Sequence, residues 1–204
     1  MKRRIIFILL VGLLFTSQAK AQDVSTSVVK IGPKIGLNIS SLRGTQDYEP
    51  ASAKIGGNIG AVINIRWGQR YLDSDLGTGY IGFQQEMLFS TQGALIDGKP
   101  LKLNYFMVPM LLKFYPTEKI NVELGPEFAF MMSRPNTITQ EQFTYDLKDL
   151  CSGKDIALVI GLGYEVKNGL SINARYNMGL SKLANNLPWK NNVLQISLCW
   201  LLTL

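Results

Sequence analysis

Residues 120–132 read INVELGPEFAFMM. Taken alternately, Ile120, Val122, Leu124, Pro126, Phe128, Phe130 and Met132 form one face, and Asn121, Glu123, Gly125, Glu127 and Ala129 form the other. Period-2 alternation marks a strand whose two faces meet different surroundings. The first face carries no charge and the second carries two carboxylates. Whatever surrounds such a strand must therefore be apolar on one side and polar on the other.

The same pattern recurs along the chain. Strands are expected over residues 29–39, 54–67, 80–91, 103–115, 120–132, 155–166, 170–180 and 191–202. Their apolar faces, such as Ile35, Leu37 and Ile39 or Ile156, Leu158, Ile160 and Leu162, are essentially free of Lys, Arg, Asp and Glu. Alternation is weakest in 103–115, where Met107, Pro109 and Leu111 interleave with Phe106, Val108, Met110 and Leu112. Pro33 has no N–H to give a ladder and suggests a bulge. Gly57 and Gln85 interrupt otherwise apolar faces.

Eight strands of about 10 to 13 residues match what a tilted strand needs to cross a bilayer, and eight is a permitted barrel count. Connections in the second half alternate: short at 116–119, long at 133–154, an Asn-Gly turn at 167–169, longer at 181–190. Short periplasmic turns and long outer loops give that rhythm. Residues 40–53 and 92–100 read as loops, the latter with an Asp97-Gly98 turn. The connector 68–79 is long for a periplasmic turn. The expected fold is all-β, an eight-stranded antiparallel up-and-down transmembrane β-barrel covering residues 22–204.

An eight-stranded barrel is only wide enough inside to be filled by side chains. The polar faces carry Lys30, Lys34, Arg66, Lys113 and Arg175 against Glu86, Glu123, Glu127, Asp155 and Glu165, with Lys54 at the mouth of the second strand as one further positive charge, so the signs nearly balance. Charges buried there must be paired or hydrogen-bonded. A structural ion-pair network of Lys34, Arg66, Glu86, Lys113, Glu123, Glu127, Glu165 and Arg175 is expected, in a plugged lumen. Glu123 and Glu127 lie about 13 Å apart along one strand, too far for a paired-carboxylate acid/base site. Lys113 and Arg175 are their natural partners. Gly56, Gly60, Gly161 and Gly163 suggest close packing inside. Trp67, Tyr80, Phe114, Tyr115, Tyr164 and Trp200 are expected at the periplasmic end, and Phe89, Phe106, Phe128, Phe130 and Tyr176 nearer the outer half, as in interfacial girdles.

The N-terminus carries an export signal in its residue order. Lys2, Arg3 and Arg4 precede an apolar run over 5–15, and Ala19-Lys20-Ala21 forms a small-x-small site. Residues 1–21 are read as a cleaved signal peptide, so that the mature chain starts at Gln22. Removing the four basic residues of that segment takes the formal charge from +6 to +2, and a nucleic-acid partner loses its main support.

The chain has no histidine. That removes the usual general base, the Ser-His and Cys-His nucleophile pairs and the commonest metal ligand. No enzyme activity, cofactor or metal is expected. Cys151 and Cys199 fall at opposite ends of the expected topology and read as free thiols. Glu141, Tyr145, Asp146 and Asp149 of the long loop fit no calcium-loop spacing.

Particular residues also resemble a known family. They are Gly32-Pro33-Lys34-Ile35-Gly36-Leu37-Asn38, Glu86-Met87-Leu88-Phe89-Ser90 with Gln92-Gly93, and Leu103-Asn104-Tyr105 with Val108-Pro109 and Lys113-Phe114-Tyr115. Leu124-Gly125-Pro126, Gly161-Leu162-Gly163-Tyr164-Glu165 and Ala174-Arg175-Tyr176-Asn177-Met178-Gly179-Leu180 complete the set. In these the chain resembles the PorT-like outer-membrane β-barrel family over nearly all of 22–204. The resemblance implies an eight-stranded barrel in a bacterial outer membrane. The member that names the family serves protein secretion, and no catalytic residues come with it. Outer-membrane barrels usually end in an aromatic residue; this chain ends Trp200-Leu201-Leu202-Thr203-Leu204, with Trp200 as the candidate substitute.

The leading functional expectation is a small integral outer-membrane barrel with a structural, surface-binding or secretion-accessory role. Outer-membrane lipid is its expected partner, other envelope or secretion proteins are further candidates, and a monomer is expected. The alternatives are a narrow porin-like channel and a secreted soluble ligand-binding β-barrel. The soluble alternative would bury the apolar faces and expose a face dense in Lys, Glu and Thr, whereas here the polar face is rich in Gly and Asn.

Overall fold

The computed structural model describes residues 28–44, 52–67, 80–96, 99–117, 119–133, 138–140, 143–145, 153–183 and 189–204. Eight long strands dominate: β1 (Val28–Arg43), β2 (Ser52–Trp67), β3 (Tyr80–Ile96), β4 (Lys99–Tyr115), β5 (Ile120–Ser133), β8 (Lys154–Glu165), β9 (Leu170–Gly179) and β10 (Lys190–Trp200). The short strands β6 (Ile138–Gln140) and β7 (Phe143–Tyr145) pair with each other, and β11 (Leu202–Thr203) continues β10. Every long strand pairs antiparallel with its sequence neighbour among the eight, and β1 also pairs with β10. The sheet is therefore a closed eight-stranded barrel with no free edge, which a membrane-spanning sheet requires.

The alternation places the apolar faces outside. Ile35, Leu37, Ile55, Ile59, Leu112, Leu124, Ile160, Leu162, Ile196 and Trp200 are all exposed, and the intervening Lys34, Asn38, Asn58, Glu123, Asn173, Arg175 and Gln195 are buried. A belt this continuous far exceeds the apolar patches soluble monomers expose. Leu112, Leu124 and Ile160 lie side by side at one level of the wall. Val108 departs from the pattern: it sits in the outward phase yet is buried.

One end of the barrel holds the short turns. Thr117 Oγ1 accepts from the Ile120 amide at 3.0 Å and caps the β4–β5 connection. Asn168 and Gly169 both have positive φ, 64° and 79°, in the β8–β9 turn, as the Asn-Gly pair predicts. Val28 and Leu204 lie at this end too, where the Leu204 amide donates to Val29 O at 3.0 Å. The other, loop end carries the β3–β4 hairpin and the long β5–β8 connection, which contains the β6–β7 hairpin.

Several expected boundaries move. β1 to β4 run 16 to 17 residues, longer than the alternation indicated. Residues 40–43, 52–53, 92–96 and 99–100, read as loop, continue the strands. Except for Leu42, their buried inward side chains are polar or small, so a hydrophobic count passes over them. Ser40 Oγ, for example, donates to Gly93 O at 2.8 Å. Pro33 makes no bulge: pairings of β1 with β10 and with β11 flank it in one unbroken register. The register shifts instead in β2–β3 between Ala53 and Asn58, and in β4–β5 at Asn104/Tyr105. The signal segment, the connector 68–79, the Asp97-Gly98 turn and Cys151 lie outside the described residues.

The interior is layered, which the expected charged lumen did not include. Towards the loop end Leu42, Leu88, Ala94, Leu101, Leu103, Tyr105, Met107, Ala129 and Leu183 form an apolar cluster, with Met131 and Trp189 against it. This explains the weak alternation of β4: its inward face builds the apolar layer while its outward face meets lipid. Tyr115 also turns inward and is fully buried, so it leaves the expected aromatic girdle. Trp67, Phe114, Tyr164 and Trp200 share its end of the barrel, as the registers with Ile81, Val122, Ile120 and Leu170 require.

Candidate functional site

The centre of the lumen is a charge cluster held by cross-strand register. Lys113 on β4 pairs with Glu123 on β5, Glu123 with Gly161 on β8, and Gly161 with Arg175 on β9. All face inward because each lies in the polar phase of its strand. Gly161 makes room: a Cβ there would stand 2.6 Å from Arg175 Cγ.

Arg175 crosses the lumen. Its NH1 donates to Glu86 Oε2 and its NH2 to Glu86 Oε1, both at 2.8 Å, a bidentate pair. Its Nε donates to Glu123 Oε2. Glu86 also accepts from Lys34 Nζ at 3.0 and 2.8 Å. Glu123 Oε1 meets Lys113 Nζ at 2.9 Å and accepts from Asn173 Nδ2 at 2.7 Å. Gln84 joins the set, accepting from Lys113 Nζ at 2.9 Å and from Asn64 Nδ2 at 3.1 Å. Five charged side chains, all at most 2% exposed, thus share two carboxylates among three cations. Buried charge at this density survives only with this degree of pairing.

The other predicted members lie elsewhere. Glu165 and Arg66 belong to a second, wetter group near the turn end, where Lys30 Nζ lies 3.2 Å and Arg66 NH1 3.9 Å from Glu165 Oε2. The Arg66 guanidinium also sits 4.3 Å from the Tyr115 ring centroid, a cation–π contact. Glu127 corrects the expectation of a cationic partner. Its register neighbours are Pro109 and Ala157, so Lys113 and Arg175 serve Glu123 and leave Glu127 with a hydrogen bond from Asn177 Nδ2 at 2.9 Å. Glu127 and Asp155 lie towards the loop end, where Lys54 Nζ also donates to Gln92 O at 3.3 Å.

Sequence reading noted an Asn-rich polar face but gave its carboxamides no pairing. Asn38 Nδ2 donates to Ser90 Oγ at 2.8 Å, Asn58 Nδ2 to Asn38 Oδ1 at 2.7 Å, and Gln92 Nε2 to Ser90 Oγ at 3.0 Å. Their repeated appearance in the inward phase of nearly every strand was the signal. Cys199 is a free, buried thiol. Glu141, Asp146 and Asp149 lie outside the described residues. Among the described residues no group of three or more His, Cys, Asp or Glu side chains converges as a metal site.

The model of the outer membrane protein beta-barrel domain matches residues 17–185, most of the chain. The chain belongs to that family. It is accordingly a small protein of the bacterial outer membrane, with its apolar belt against lipid. No curated protein matches the sequence of this outer-membrane barrel. Among solved structures it is similar to Ail, the attachment invasion locus protein of Yersinia pestis, in complex with the heparin analogue sucrose octasulfate. That match has 11% identity and a TM-score of 0.41, over 85% of this chain and 99% of that one. The translocator domain of the autotransporter NalP from Neisseria meningitidis matches at 10% identity and a TM-score of 0.28, over 98% and 97%.

Proposed function

We propose that this outer-membrane barrel is a non-conducting, non-enzymatic scaffold of the PorT-like type, which holds loop-end segments outside the membrane for surface binding or as an accessory to secretion. The observation that carries this reading is the Arg175–Glu86 bridge. It spans the lumen between opposite walls, and the apolar layer of Leu88, Leu103 and Met107 closes the space towards the loop end. A solute path would have to break a desolvated charge cluster, which is costly. The PorT-like motif residues and the absence of histidine support the finer assignment and the lack of catalysis. Export depends on residues 1–21, and the mature N-terminus is Gln22.

Single-channel recording in planar bilayers tests the reading. The protein inserts without discrete openings at low voltage; repeated openings would replace the scaffold with a narrow pore. Terminal sequencing of the membrane-extracted protein checks the start at Gln22. Capture from detergent extracts through the loop end identifies the partner.

A further inference from the structure

A small cavity opens at the loop-end side of the charge cluster. It has a volume of about 10 Å³ and is lined by Glu127, Asp155, Asn177, Asn191 and Gln92 together with small apolar residues. Glu127, Asp155, Asn177 and Asn191 are 4%, 8%, 2% and 6% exposed. No cationic side chain lines it. Glu127 and Asp155 bring two carboxylates with no ion-pair partner among the described residues, and their hydrogen bonds come from neutral donors, Asn177 Nδ2 and Ser181 Oγ. The Oδ1 atoms of Asn177 and Asn191 are buried and have no hydrogen-bond partner. Orphaned buried acceptors are rare and call for an explanation.

We propose that Glu127, Asp155, Asn177 and Asn191 form a binding site for a single calcium ion inside the barrel. Three features converge on that ion. The carboxylates and carboxamide carbonyls lining the cavity offer oxygen ligands, the preference of hard cations. Two carboxylates balance a divalent charge. The space holds one water-sized particle, which suits an ion stripped of water; magnesium dehydrates reluctantly and keeps several waters. The four side chains sit towards the loop end, where Asp155 and Asn191 are each the second residue of their strands, β8 and β10. The bound ion would tie β5, β8, β9 and β10 together where the Arg175 cluster does not reach. The residue types and spacing in sequence did not suggest a metal, because the four ligands come from four strands.

Equilibrium dialysis of the folded, detergent-solubilised protein against radioactive calcium chloride tests the site. One ion per chain is expected, with a dissociation constant on the order of 10⁻⁴ to 10⁻³ M as in extracellular modules. Glu127→Gln should weaken binding at least tenfold, and Asn191→Ala should weaken it by a smaller factor. Both variants should keep the heat-dependent gel shift of a folded barrel, since each leaves the Arg175 cluster intact. Absence of calcium binding by the parent protein overturns the proposal. So does equal binding by Glu127→Gln, which would place the ion on external carboxylates. Magnesium binding as tight as calcium would overturn the assignment of a dehydrated ion.

Discussion

Arg175 on β9 and Glu86 on β3 stand on opposite walls of the barrel, with three strands between them on either side, and meet through two parallel hydrogen bonds of 2.8 Å. The pair is a strut across the lumen. Lys34, Glu123 and Lys113 brace it from β1, β5 and β4.

Removing the strut's cation takes the bidentate pair from Glu86 and one bond from Glu123, leaving each carboxylate with a single lysine, Lys34 and Lys113. Arg175→Met is expected to destabilise the barrel by about 3–5 kcal/mol, the cost of breaking a buried pair from one side. Urea unfolding in detergent or vesicles measures it. Adding Glu86→Gln should deepen the loss, since Lys34 then stands buried without its carboxylate; recovery would show that Lys34 and Glu86 do not stay paired once Arg175 is gone.

Gly161 is the space the Arg175 side chain occupies. A methyl group there meets Arg175 Cγ at 2.6 Å and Ala174 O at 2.9 Å. Gly161→Ala should cost about 1–3 kcal/mol, the usual range for overpacking. In an Arg175→Ala background part of that cost should vanish, which a double-mutant cycle reads as coupling.

The lipid belt predicts a depth profile. Leu124 lies mid-strand beside Leu112 and Ile160, whereas Ile120 opens the same strand at the turn end. Leu124→Arg should cost about 2–4 kcal/mol and Ile120→Arg about 0–1. Unfolding titrations in lipid vesicles separate the two; equal costs would argue against a bilayer centred on Leu124.

Trp200 ends the last long strand, exposed to the outside, and its Nε1 donates to Asn168 O at 3.1 Å in the β8–β9 turn. Trp200→Phe removes that bond and should cost about 0.5–1.5 kcal/mol. Trp200→Ala should in addition slow folding into vesicles, followed by the gel shift. If the alanine variant folds at the parental rate, Trp200 plays no part in assembly.

Much of the architecture could be read from residue order, because a barrel strand writes its surroundings in period 2. From Ile120 to Met132 the outward and inward residues came out as the alternation placed them, and Asn168-Gly169 turned where an Asn-Gly pair should. Strand ends at Ser40–Arg43 and Gln92–Ile96 were hidden, since Ser40, Ser41, Gln92 and Gly93 look like loop residues even where Ser40 and Gln92 face a lumen. The apolar layer around Leu103 and Met107 was hidden too, because β4 is apolar on both faces.

For the candidate site, the sequence determined which side chains point inward, and so which charges must find partners there. Which partners they find was decided only by the tertiary structure. Glu123 and Glu127 share a strand and a face, and nothing in their local sequence distinguishes them. Register sets Glu123 opposite Lys113 and within reach of Arg175, and sets Glu127 between Pro109 and Ala157. The reason is physical. Side-chain direction follows from local backbone geometry, whereas the neighbour across the ladder depends on how eight strands stagger when the barrel closes.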